Sequence, residues 1–440
     1  MKQQPVSHQF SLLKKRYFAP FFWTQFCGAA NDNLYKFAVT ILLTYQWQTQ
    51  WFPSSMAGVI IGGLFIFPFL LFSATSGQLS DQYDKIRIMR NVKNAEIGIM
   101  LLAAFGLYTQ SVIILLACIF LMGLHSTIFG PAKFAYLPQV LDDKFLMGGN
   151  ALVSMGTFVS ILLGNIAGGI LVAIPGNGHL WAAFACLLVA VAGRISAQFI
   201  PPLEKKPASN KINWNPFTET LKNLAIARQH RIIFKCMLLI SWMWFFGAVF
   251  LALFPVFAKD ILKGNEHVAA LLLVLFSIGV ATGSLSCERL GLRRPALSLV
   301  PLGAAGMSLF TVDLYFSITV PDTQELRSFS QFIAQPANWR TMFDLFMLSA
   351  CAGVYSVPLY TFIQKTTSKT HIARIIAANN ILNAFFLIAS ALIVGLLLSL
   401  DISVPVIFLL AGIVNILFSY AIFLTEPGFK KKPFKTGRYF

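Results

Sequence analysis

Charge is what this 440-residue chain has least of. Only 12% of its residues are Asp, Glu, Lys or Arg, 57% are hydrophobic, and mean hydropathy is +0.70. A soluble domain carries about a quarter charged residues. A soluble chain of this length also splits into domains with polar surfaces instead of enlarging one core. A water-soluble protein is thereby excluded, and lipid is the solvent around most of the chain. Other signatures are missing too. The six cysteines (Cys27, Cys118, Cys186, Cys236, Cys287, Cys351) fall singly in apolar segments, with no C-x-x-C or metal spacing. They read as free thiols in helices, without the pattern of an exported disulfide domain. There is no G-x-x-x-x-G-K-S/T loop and no nucleophile elbow, so neither enzymatic activity nor a cofactor is expected.

Apolar runs of membrane-crossing length are abundant. A bilayer core needs about 20 apolar residues in a helix. Spans are predicted at 17–45, 55–80, 88–109, 111–136, 148–174 and 179–200, then at 233–258, 267–288, 295–318, 342–363, 375–399 and 404–425. The first is too long for a cleaved signal peptide and is expected to stay in the chain. The expectation is an all-α polytopic membrane protein of twelve transmembrane helices. It divides into a six-helix bundle over 1–200, a cytoplasmic linker over 201–232, a second bundle over 233–426 and a basic tail over 427–440. No acyltransferase domain is expected after the twelfth span.

The scarce charge is unevenly placed. The net charge is +17, from 34 basic and 17 acidic residues. All but six of the basic residues fall in alternate loops, the termini and the central linker. The exceptions are Lys259, Lys263, Arg327 and Arg340 in the other loops, and Lys36 and Arg194 inside spans. Lys85, Arg87, Arg90 and Lys93 are assigned to one such loop. By the positive-inside bias both termini and the linker are cytoplasmic, which requires an even number of spans in each half. The charge serves topology and anionic lipid, so no nucleic-acid partner is needed.

The halves echo one another. Gly77, Leu79, Ser80 and Arg87 recur as Gly283, Leu285, Ser286 and Arg293 at a constant offset of 206. Gly123, Ser126 and Asn150 recur as Gly353, Ser356 and Asn380 at an offset of 230, which places an extra external segment near 319–340. Within the linker, 216–231 has the apolar spacing of an amphipathic surface helix.

Ionisable residues inside spans are costly and are functional candidates. The first span holds Asn31, Asp32, Asn33, Tyr35 and Lys36. Asp32 and Lys36 are four apart on one helix face and can pair; the set is a substrate or cation site or a structural lock. Glu96 and His125 lie in spans three and four, and Lys133 near the end of span four can catch a phosphate oxygen or snorkel to the interface. Asp313 and Asp344 are expected to be solvated near the outer surface. Charge is almost absent from the second-half spans, and the chain has 42 Phe. A path polar on one side and apolar on the other suits an amphiphile.

The stretch Gly77-Gln-Leu-Ser-Asp81, continuing to Lys85 and Arg87, resembles motif A of the major facilitator superfamily. That family is built as two parallel six-helix repeats with the substrate path between them near the midplane. Asp81 at a cytoplasmic helix end can pair with Lys85 or Arg87 and meet a helix N-terminus, and Gly77 permits close helix approach. Together these four residues form a conformational gate. With Ala30-Asn31-Asp32-Asn33, Phe129-Gly130-Pro131-Ala132-Lys133 and Gly149-Asn150-Ala, the first half is similar to the bacterial lysophospholipid transporters.

The resemblance implies flipping of lysophosphatidylethanolamine-like lipids across the inner membrane, for reacylation by a cytosolic acyltransferase. It places Asp32, Asn33 and Lys133 on the headgroup path; Asn31, Lys36, Glu96 and Asn150 are expected, on their own polarity, to line the same substrate path. The chain departs from the family pattern at Gln139, near Ser154, around Gly247 and at Ile381, Phe385 and Phe386, where polar partners are missing. Two alternatives follow: a carrier of another amphiphile or metabolite, including a proton-coupled exporter, and a non-transporting scaffold or lipid sensor.

Overall fold

The computed structural model describes residues 9–47, 50–203, 212–291, 296–319, 325–369 and 371–426. The expected basic tail, Arg293, Arg294, Lys205, Lys206 and Lys211 lie outside them. The described residues form helices α1 (Ala19–Ile41), α2 (Ala57–Gln82), α3 (Lys85–Tyr108), α4 (Val112–Val140), α5 (Asp143–Val172), α6 (Gly178–Gln198) and α7 (Pro216–Gln229). They continue with α8 (Arg231–Val256), α9 (Glu266–Gly291), α10 (Leu299–Ser317), α11 (Phe329–Ile333), α12 (Ala337–Thr366), α13 (Ile372–Ser399) and α14 (Val404–Thr425).

Ten of these are long and apolar enough to cross a membrane. Two others, α1 and α3, are of comparable length, 23 and 24 residues, but carry ionisable side chains within them. Several helices outrun the predicted spans: α3 starts at Lys85, α5 at Asp143 and α12 at Ala337. Hydropathy marks the hydrocarbon thickness, whereas backbone hydrogen bonding carries a helix on through the polar layer.

Two compact units are resolved. One comprises the described residues up to Gln229 together with Thr367–Ala384; the other comprises His230–Thr366 and the described residues from Phe385 onward. The first turns of α13 therefore belong to the first unit, a division that the linear boundary at 233 does not anticipate.

Within the first unit α1 packs on α5 and α6, α2 on α4, and α3 on α4 and α6; in the second, α9 and α10 pack on α12, and α10 on α14. The sequence echo has a packing meaning. A Cβ on Gly123 of α4 would lie 2.2 Å from the Phe65 carbonyl oxygen of α2, and one on Gly353 of α12 would lie 2.5 Å from the Val280 carbonyl oxygen of α9. Each unit therefore crosses its second and fourth long helices at backbone contact, which only glycine permits.

Local signals set the ends. Asp84 caps α3 by accepting from the Ile86 N–H at 2.9 Å, fixing the tight break after α2. Arg90 donates to the carbonyls of Ala197, Gln198 and Ile200 where α6 ends, satisfying orphan acceptors of that terminus. The extra segment near 319–340 contains α11, opened by a Ser328–Gln331 capping box. Beneath it the Arg327 guanidinium is buried, donating to the Leu262 carbonyl and to Gln335.

Candidate functional site

Three long helices of the first unit bring their ionisable residues to similar depth. Asp32 is the fourteenth residue of α1, Glu96 the twelfth of α3 and His125 the fourteenth of α4. At 1.5 Å per residue Glu96 stands about 16 Å from the start of its helix.

Glu96 is at the centre and fully buried. It accepts from Asn31 Nδ2 at 2.8 Å and from Lys93 Nζ at 2.5 Å, and His125 Nε2 lies 3.1 Å from the same carboxylate oxygen that Lys93 engages. Lys93, also fully buried, is accommodated by missing side chains: a Cβ on Gly28 would fall 2.7 Å from Nζ, and one on Gly193 would fall 3.2 Å from it. A buried carboxylate is tolerable only when paired and hydrogen-bonded, and both conditions are met here.

A second, more accessible layer adjoins the first. His125 Nδ1 is 3.5 Å from Ser126 Oγ, which donates to Asp32 Oδ2 at 2.5 Å. Asp32 is 7% exposed, and Lys36, Ser126 and Lys133 are half-buried. Lys36 Nζ sits 4.1 Å above the Phe65 ring and Lys133 Nζ 4.8 Å above that of Phe134. Both ammonium groups interact electrostatically with Asp32.

Several expectations change. Asp32 and Lys36 form no ion pair within 4.0 Å; Ser126 takes the carboxylate and Phe65 the ammonium. Lys93, assigned to a loop, is the counter-ion of Glu96. It was obscured by three other basic residues just before it, although its i, i+3 spacing to Glu96 was a readable signal. Glu96 is sealed inside the bundle and does not line an accessible path. Asn33 turns back to the Ala29 carbonyl of its own helix at 2.8 Å, and Asn150 to that of Leu146 at 3.1 Å. Asp344 is not solvated: it is fully buried in α12, while Asp313 is engaged by Arg340 of that helix.

The gate residues also separate. Asp81 lies 3.4 Å from Arg374 Nε and against the amides of Ala373 and Arg374 at the first turn of α13. Lys85 is buried and contributes charge to Asp81, whereas Arg87 is exposed. Arg374, invisible as a partner in the linear sequence, therefore replaces Arg87. Gly77 makes the approach possible, since a Cβ there would be 2.7 Å from that of Ala377. Burial and the neighbouring Arg374 hold the His371 imidazole below its ordinary pKa, so it stays neutral beside this contact near neutral pH.

The second unit has a different interior. Trp242 stacks between Phe245 and Phe418, with centroids 4.9 and 4.8 Å away, and donates to Asn415 Oδ1 at 2.8 Å. Asn415 Nδ2 donates to Ser308 Oγ and the Ala304 carbonyl. Among the described residues no group of three or more His, Cys, Asp or Glu side chains is arranged to hold a metal.

Long apolar helices in two units, with repeated glycine crossings and a charged core in one unit, define a multi-pass membrane transporter of the major-facilitator fold. Residues 48–350 match the major-facilitator family described as "Transmembrane secretion effector", and the chain belongs to that family. Over 189 residues it is 31% identical to the lysophospholipid transporters LplT of Salmonella newport (strain SL254) and Salmonella heidelberg (strain SL476). That match covers 41% of this chain and 41% of each relative, so the chain spans about two fifths of the length of these curated relatives.

Solved structures share the fold. The human organic anion transporter MFSD10 (TETRAN) superposes with a TM-score of 0.74 at 13% identity, covering 92% of this chain and 99% of that one. A bacterial homologue of the iron transporter ferroportin gives 0.68 at 13% identity, covering 93% and 99%. The E. coli fucose:proton symporter FucP gives 0.68 at 12% identity, covering 92% and 98%.

Proposed function

We propose that this chain is a twelve-span secondary transporter of the bacterial inner membrane, with cytoplasmic termini, that flips lysophospholipids between leaflets by alternating access. A cytosolic acyltransferase would then reacylate the lipid. The observation that carries the reading is the accessible layer around Asp32. It sets one carboxylate, already bound to Ser126, among the half-buried ammonium groups of Lys36 and Lys133. A lysophosphatidylethanolamine headgroup has the complementary pattern, an ammonium for Asp32 and a phosphate for the lysines. The similarity to the LplT lysophospholipid transporters supports the same substrate class. The sparsely charged second unit, with the Trp242, Phe245 and Phe418 stack, suits the acyl tail.

Inside this scheme Asp81, Arg374 and the first turn of α13 act as the cytoplasmic gate, and Gly77 and Lys85 shape it. Glu96, Lys93, Asn31 and His125 brace the headgroup layer from behind, and Asn33 and Asn150 hold the flanking helices. A second reading, export of another amphiphile, is favoured by the family's description as a secretion effector.

The deciding experiment is uptake of labelled lysophosphatidylethanolamine by spheroplasts with and without the protein, with Asp32→Ala as control. Uptake that needs both the protein and Asp32 supports the lysophospholipid reading. Absent uptake by well-expressed protein overturns it and leaves the exporter reading.

A further inference from the structure

Helix α7, the last helix of the first unit, buries a polar row and exposes large apolar side chains alongside two cations. Glu219 and Asn223 are each 1% exposed and, with buried Ala227, form an i, i+4, i+8 row on a helix that packs against α2. Just before it the backbone N–H of Asn213 donates to Gln78 Oε1 at 2.9 Å, and Gln78 Nε2 donates back to the Asn213 carbonyl at 3.0 Å. This paired contact fixes the segment to the end of α2, three residues from Asp81.

The other side is built for a different medium. Trp214, Phe217 and Leu221 are 68%, 71% and 70% exposed. A helix resting in water turns such large apolar residues inward; here they face outward. Lys222 and Arg228 are exposed on the same helix, and a shallow hollow of about 380 Å3 runs along Leu221, Leu224, Ala225 and Arg228. Chain length limits where α7 lies, because α8 starts at Arg231, two residues after Gln229. The helix is thus held at the level where α8 leaves the hydrocarbon, a layer that favours tryptophan and basic side chains.

We propose that α7 is a membrane-docking helix. Trp214, Phe217 and Leu221 seat in the interfacial layer of the leaflet from which α8 begins, and Lys222 and Arg228 engage anionic phospholipid headgroups there. The assignment needs only the membrane-crossing helices and is independent of the transported molecule. Anionic lipid fits better than a soluble protein, because an aromatic and aliphatic face flanked by cations matches the acyl–headgroup boundary.

Nitroxide labels at Phe217→Cys, Leu221→Cys and Lys222→Cys, in the full chain within nanodiscs of phosphatidylglycerol and phosphatidylethanolamine, test it. Substitution at these exposed sites is expected to leave size-exclusion retention unchanged. Labels at 217 and 221 should collide with dissolved oxygen but several-fold less with an aqueous nickel chelate than the label at 222. Replacing phosphatidylglycerol by a zwitterionic lipid, or raising salt, should bring them closer to the water. Equal nickel access at all three sites overturns the proposal. Screening of 217 and 221 from both reagents also overturns it, since a protein surface then covers them. A depth indifferent to phosphatidylglycerol and salt overturns the anionic assignment.

Discussion

At the scale of single residues, the polar core of the first unit divides into groups that must stay paired and groups that the proposed function gives to a ligand. Lys93 and Glu96 are both fully buried, so removing one leaves the other charged without the counter-ion that it holds here. Lys93→Ala or Glu96→Ala should cost about 3–5 kcal/mol, read as a lower melting temperature of the purified protein in detergent. The apolar double replacement Lys93→Met with Glu96→Leu should cost less than either single change. Asp32→Ala should leave melting nearly unchanged and lower lysophosphatidylethanolamine uptake about tenfold or more, the loss of one charge-assisted contact. A melting loss as large as that of Glu96→Ala would move Asp32 from ligand binding to structure. Asp32, Glu96 and His125 were legible as candidates because any ionisable residue in an apolar run stands out. Their partners were not: Ser126 is unremarkable in sequence, and Lys93 hides in a basic cluster whose other members lie beside Asp81, at the surface or at the end of α6.

At the scale of helices, close crossings depend on a few glycines. A Cβ at Gly283 of α9 would lie 1.8 Å from the Ala350 carbonyl oxygen of α12, and backbone there has little room to yield. A Cβ at Gly62 of α2 meets nothing within 4 Å. Gly283→Ala should therefore lose at least about 1–3 kcal/mol, the usual cost of overpacking, and reduce the yield of folded protein. Gly62→Ala should be silent; equal behaviour of the two in a detergent melting assay would contradict the crossing geometry. The repeat at offset 230 made the Gly123 and Gly353 crossings readable in advance, whereas the pair at offset 206 meets different partners, Gly77 approaching α13 and Gly283 approaching α12. The helices themselves were readable from apolar length. Their ends were not, because the polar layer gives hydropathy little to detect and caps such as Asp84 act through a single side chain.

At the scale of the whole molecule, Asp81 and Arg374 form the contact expected to bias the transport cycle. Asp81 was legible from its motif, yet its cation was not, since nothing in the linear order joins α2 to the first turn of α13. An anion at a helix N-terminus in a partly buried site gains up to ~2 kcal/mol. Asp81→Asn should then raise the population lacking this contact by up to about thirtyfold, measured from distance distributions between spin labels on α2 and the start of α13. The charge exchange Asp81→Arg with Arg374→Asp should fail to restore the original distribution, because it would point a cation at the positive end of α13. Full restoration would reduce the gate to a simple ion pair.

The pocket that houses Lys93 also constrains how such a sequence can drift. Gly28 and Gly193 make room for one ammonium group from two different helices, with virtual Cβ atoms 2.7 and 3.2 Å from it. A lineage that loses the lysine no longer needs either gap, and the vacated space favours larger side chains at both positions. The three sites are therefore expected to change as a trio across descendants: small residues at 28 and 193 wherever 93 is basic, and bulkier ones where it is not.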